Sequence, residues 1–131
     1  MDSLEIGKVL IAAIQSDEAH SSQLGGRVFP LVAEEGTAFP FAIYRRSSLL
    51  LSSTKDGLSE GTAYVEIAIA TERYGDGITI AKRVKDILSS TRGVYSGIDV
   101  DDISLTDSSE EYAANAFVQN LTFKFIIYEQ D

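Results

Sequence analysis

The chain has no cysteine, only one histidine and only two prolines in its 131 residues. Without cysteine there are no disulfides and no thiolate chemistry, and His20 alone cannot build a multi-histidine metal site within one chain. No apolar run approaches the roughly 18 residues that a membrane span needs. The first residues also lack the basic, then apolar, then small-residue layout of a secretory leader, so a cytoplasmic site of synthesis and action is expected. Bases are scarce as well: 11 Lys and Arg against 20 Asp and Glu give a formal net charge of −9 and a pI near 4.5. Backbone binding to DNA requires clustered bases that displace condensed counterions, so specific nucleic-acid recognition is not expected.

What is present is an ordinary globular composition, and the length suits a single domain over residues 1–131 with a real core. The most informative stretch is Arg27 to Ala33 and Phe39 to Arg45, two β-prone runs joined by Glu34-Glu35-Gly36-Thr37-Ala38. Pro30 and Pro40 cannot donate to a ladder and belong at strand beginnings or edges. Ile6, Val9, Leu10, Ala13 and Ile14 recur at helical spacing, with Asp2 or Ser3 available as a cap, and the polar segment ending in Gly25-Gly26 stops that helix.

A strand is expected from Phe41 to Leu51 and a mobile loop over 52–61. Ala63, Val65, Ile67 and Ile69 then alternate as in a central strand. Asp76 is placed to cap a second helix whose apolar stripe is Ile80, Ala81, Val84, Ile87 and Leu88, with Lys82, Arg83, Lys85 and Asp86 opposite. Ile103 and Leu105 suggest a short strand. The strongest strand is Phe117 to Tyr128, where Phe117, Leu121, Phe123, Phe125 and Ile127 share a face broken only by Gln119. The expected fold is α+β, a mostly antiparallel sheet with two helices packed on one face in the order α-β-β-β-α-β-β. Its outer face would carry Tyr64, Ala68, Ala70, Val118, Ile126 and Tyr128, more apolar than a monomer needs, which points to a partner surface.

No catalytic constellation is visible: no phosphate-binding GxxxxGK[ST], no GxSxG elbow and no HExxH helix. Gly75-Asp76-Gly77 gives only a GxG, which helix capping explains. Asp99, Asp101, Asp102, Asp107, Glu110 and Glu111 fall within thirteen residues that contain no base. Four of them match positions 1, 3, 9 and 12 of a calcium loop, but Ile103 and Ser104 stand where a ligand and a turn glycine are needed. A solvated strand and turn is the reading favoured for this run, with a metal-dependent enzyme or binder as its rival.

Gly26-Arg27-Val28-Phe29-Pro30, Phe39-Pro40-Phe41-Ala42-Ile43-Tyr44, Tyr64-Val65-Glu66-Ile67-Ala68-Ile69, the helix after Tyr74 and the final apolar strand together resemble the tail-completion, or tail-terminator, proteins of long-tailed bacteriophages. The likeness spans nearly the whole chain. It implies a structural protein of the virion tail, made in the bacterial host cytoplasm, without catalysis, cofactor or metal. Such proteins form a ring, commonly a hexamer, on the head-proximal end of the tail tube, where they end its polymerisation and join the head connector. The implied partners are other copies of the chain, the tail-tube protein and the connector, with DNA only as passing cargo. Candidate subunit contacts are Tyr44, Arg45, Arg46, Tyr64 and Tyr128, and the six acids from Asp99 to Glu111 are a candidate acidic lumen or partner surface. Another phage neck or tail component is the rival within the same class.

Overall fold

The computed structural model describes residues 3–16, 23–53, 58–95 and 97–130, so the possible cap Asp2 and the loop histidine His20 lie outside the described residues. A single 3-10 turn at Ser3–Glu5 leads into helix α1, Gly7–Gln15. Strands β1 (Val28–Pro30), β2 (Phe41–Ser53) and β3 (Leu58–Thr71) come next, then helix α2 (Tyr74–Ser89) and strands β4 (Gly93–Tyr95), β5 (Ile98–Ala113) and β6 (Ala116–Gln130). All six strands form one sheet in the order β1-β2-β3-β6-β5-β4.

This architecture corrects the expected fold class. The sheet is mixed rather than mostly antiparallel in kind, because β1 runs parallel to β2, with Val28 opposite Ala42 and Pro30 opposite Tyr44. Element order is α-β-β-β-α-β-β-β, one strand more than expected. Pro30 places its missing N–H on the open side of β1, where no bond is lost, and after the Leu31 amide donates to the Tyr44 carbonyl the chain turns away with φ of 65° at Leu31. The link to Phe41 then carries the chain back to its own starting level, so the two runs lie side by side in the same direction instead of closing a hairpin. The added strand, β4, has only three residues, too few to show an alternation in sequence.

Two hairpins are longer than the sequence pattern suggests. β5 spans sixteen residues, not the few around Ile103 and Leu105. Asp, Ser and Glu are poor strand formers, but here the ladder to β6 holds them from Asp99 opposite Tyr128 to Ala113 opposite Ala116. Ala114 and Asn115, with φ of 51° and 63°, close that hairpin in two residues whose paired positive φ matches the strand twist. At the other hairpin, residues 52–53 and 58–61 belong to β2 and β3, shortening the expected loop; residues 54–57 lie outside the described residues.

One face of the sheet holds the core. Val65 and Ile67 of β3, Phe123, Phe125 and Ile127 of β6 and Ile98, Val100 and Ile103 of β5 meet Leu10 and Ile14 of α1 and Val84 and Leu88 of α2 in one buried cluster. Fully burying each large apolar side chain is worth roughly 1.5–3 kcal/mol. Helix α1 approaches β2 closely: a Cβ on Gly7 would lie 2.6 Å from the Tyr44 ring, so any larger residue there must displace that ring. Helix α2 starts at Tyr74 with Arg73 before it and no side-chain cap; Asp76 sits in its first turn, where its charge favours the helix dipole instead. Gln119, read as an interruption, is in fact buried, and Phe117 is only partly so.

Phe123 is completely buried and Asp101 is exposed. Phe123→Ala is therefore expected to cost about 3–5 kcal/mol, and Asp101→Ala less than about 0.5 kcal/mol, both read by urea unfolding. Equal losses would contradict this assignment of the core face.

Candidate functional site

The sheet has two long open edges. β1 covers β2 only at Ala42 to Tyr44, and β4 covers β5 only at Ile98 to Val100. Among the described residues, β2 from Arg45 onward and β5 from Asp101 onward have no further strand beside them. Unpaired edges of this length template association unless charge or a partner covers them. The two differ in character. On β2, Leu50 and Leu51 are 65% and 52% exposed and Arg45 and Arg46 lie just before them. On β5, the acids run the length of the edge and Tyr112 is exposed near its end. Because the hairpins joining β2 to β3 and β5 to β6 turn at opposite ends of the sheet, the open stretches extend in opposite senses.

The five candidate contact residues do not form one patch. Arg45 pairs across to Glu66 at 2.5 Å on the face away from the helices, the side that also bears Tyr64 and Tyr128. Tyr64 lies opposite Lys124 and Tyr128 opposite Glu60, four positions apart along the ladder, or roughly 13 Å. Glu60 first, then partial burial, then Asp101 and Asp99 raise the Tyr128 phenol above its ordinary range. Tyr44 and Arg46 point to the helix side: burial raises the Tyr44 phenol, and Arg46 Nη1 donates to the Leu4 carbonyl at 2.6 Å. A cleft of about 360 Å³ lies there, lined by Leu4, Leu31, Tyr44, Arg45 and Arg46 among others. It has no convergent set of catalytic groups.

The acidic run is strung out along one extended strand. Asp99 and Glu110 are separated by roughly 35 Å of chain at the rise of a strand, so they cannot converge on one ion as a calcium loop does. Among the described residues no three His, Cys, Asp or Glu side chains group as metal ligands would. Asp102 is paired with Arg92 at 2.7 Å, so a base from before β4 reaches a run that contains none in sequence. Glu110 faces the helix side and is the best-held acid: Gln119 Nε2 donates to it at 2.9 Å and the Tyr74 hydroxyl at 2.8 Å. Tyr74 and Tyr112 flank Phe117, with ring centroids 5.9 and 4.9 Å away. These contacts tie the first turn of α2 to the free end of the β5–β6 hairpin.

Sequence reasoning missed Leu50, Leu51, Tyr74, Tyr112 and Gln119. Leu49-Leu50-Leu51 did carry a signal, since three consecutive leucines in a strand must put at least one outside.

The hydrogen bond from Gln119, then that from Tyr74, lower the Glu110 carboxyl below the usual glutamate range. A depressed carboxyl stabilises the fold above its unfolded pKa, and that contribution is lost as pH falls through the lower folded value. NMR titration of the Glu110 carboxyl is expected to show a midpoint that rises in Gln119→Ala and, less, in Tyr74→Phe. An unchanged midpoint in both would mean that these donors do not hold the carboxylate.

A solved chain described as "Virion of native gene transfer agent (GTA) particle" superposes with a TM-score of 0.77 at 15% identity, covering 91% of each chain, which shows a shared fold. No curated protein matches the sequence. The family model for tail completion protein gp17 matches residues 8–129. With nearly its full length matched, the chain belongs to the tail completion protein gp17 family, structural proteins of phage tails.

Proposed function

We propose that this protein forms a ring on the head-proximal end of the phage tail tube, ends tube polymerisation there and presents a surface to the head connector. The family match over residues 8–129 carries this reading. The similar fold in a gene transfer agent virion supports a place in the finished particle. Assembly in the host cytoplasm, part of the same proposal, precedes it. The protein works by shape and contact, with no catalysis and no cofactor. Its partners are other copies of itself, six in the closed ring, the tube protein and the connector.

A ring of identical subunits needs two unlike surfaces on each copy. The two open edges supply such a pair, one with Arg45, Arg46 and exposed leucines and one acidic. Tyr64 and Tyr128 add aromatic contact on the outer face, and Tyr44 lines the cleft beside Arg46. Six copies at −9 each carry about −54 formal charges, and such a field keeps DNA moving through the ring without adhering. The same charge repels free subunits from one another, so closure requires high concentration, salt or a tube end.

Added to polymerising tube protein, the purified chain is expected to shorten tubes in proportion to its concentration and to appear by electron microscopy as a cap on one end. Light scattering across salt and concentration should show growth from monomer to ring. A chain that stays monomeric throughout and leaves tube length unchanged is not a terminator.

A further inference from the structure

We propose that neighbouring subunits join by antiparallel pairing of β2, residues 45–53, with β5, residues 105–113, of the next copy, so that one sheet continues around the ring. This rests on the ring reading above and specifies its contact. Three independent features of the sheet select it.

Direction comes first. β2 pairs antiparallel with β3, β3 with β6 and β6 with β5, so β2 and β5 of one copy run in opposite senses. A rotation about an axis near the strand direction preserves those senses, and β2 meets the next copy's β5 antiparallel.

Level and alternation come next. Arg45 is level with Asp107 through Glu66 and Thr122. At equal height β1, beside residues 42–44, would collide with the neighbour's β5 at Ser108 to Glu110, which are level with Tyr44 to Ala42. Displacing one copy by about six residues, roughly 20 Å, clears both short strands and lays the open stretches together. A closed sheet absorbs such a stagger through the tilt of its strands. The Ala42 amide and the Tyr44 carbonyl bond toward the β1 side. Ladder alternation then turns the backbone groups of Arg46 and, beyond the bulge at 46–48, Leu49 and Leu51 outward. Carried across the registered pairs, the same alternation turns Ser108, Glu110 and Tyr112 outward on β5. A displacement of six is even, so outward groups meet outward groups: Arg46 with Tyr112, Leu49 with Glu110, Leu51 with Ser108.

Charge favours the unlike pair. Antiparallel pairing of β5 with another β5 would set Asp107 against Glu111 or Glu110 against its own copy, and β2 with β2 would leave Arg45 and Arg46 beside Ser52 and Ser53 with no acid to meet. In the proposed register Glu110 lies diagonal to Arg46 and Glu111 diagonal to Arg45. Leu50 and Leu51 lose water against Ser109 and Ser108. Only the unlike pairing brings these bases to these acids, and unlike pairing is what closes a ring.

The cysteine-free chain permits a direct test. Leu50 and Ser109 face each other as a non-hydrogen-bonded pair in this register, the spacing that a disulfide spans. Leu50→Cys with Ser109→Cys, oxidised both free at high concentration and on tube ends, should give a ladder of covalent multimers that ends at the ring. Either single variant should give none. Leu51→Pro, which removes an outward N–H from an edge, should keep the thermal melt and lose assembly. The proposal is overturned if rings or caps form without cross-links in the double variant, if Leu50→Cys alone dimerises, or if Leu51→Pro assembles normally. Wild-type tube capping is scored in parallel. Capping without cross-links removes the edge contact and leaves the terminator reading, whereas cross-linked rings that never cap tubes remove the terminator reading and leave the contact. Absence of both overturns both.

Discussion

The ladder between β3 and β6 is the constraint on which the rest of the molecule depends. It is the central pairing, registered from Leu58 opposite Gln130 to Thr71 opposite Phe117 without a shift, and it sends Val65, Ile67, Phe123 and Phe125 to the same side. A one-residue slip would turn that whole apolar set to the opposite face. The two helices then have one place to bury their stripes, and β2 and β5 are held on either flank of a rigid centre. Both flanking strands carry register shifts, at Arg46/Ser48 in β2 and at Val100/Asp102 and Leu105/Asp107 in β5, whereas the centre carries none. Register irregularity is thus confined to the two flanking ladders.

The chemistry of the chain fits an assembly part better than a catalyst. Its polar side chains hold shape: Arg45 to Glu66, Arg92 to Asp102, and Glu110 between Gln119 and Tyr74. The exposed ion pairs are each worth little. The acids matter through position, because one edge of the sheet is acidic and the other is not. An edge blunted by charge disfavours pairing with its own kind and favours a basic partner, which is the property the proposed edge contact uses.

Much of the core was legible in the sequence because it follows periodicity. Ala63 to Ile69 and Leu121 to Ile127 alternate cleanly, and the stripes Ile6 to Ile14 and Ile80 to Leu88 carry helical spacing; all of these positions except Ile87 include the buried cluster's members as expected. What periodicity does not encode was missed. The parallel pairing of β1 depends on where a ten-residue link returns, β4 is too short for a pattern, and β5 is held by its partner's ladder against its own composition. The site was less legible than the fold. Arg45, Arg46 and the acids were marked as contacts, but which of them share a face depends on bulges, and the exposure of Leu50, Leu51 and Tyr112 depends on how far β1 and β4 reach.

Amide hydrogen exchange of the free protein and of the protein seated on tail tubes tests the central claim most directly, because it reads the two edges at single residues. Slowed exchange on seating at Arg46, Leu49 and Leu51 and at Ser108, Glu110 and Tyr112 is the result this account requires. Edges that exchange as fast on the tube as off it, with new protection on the helices or the outer face, would contradict it.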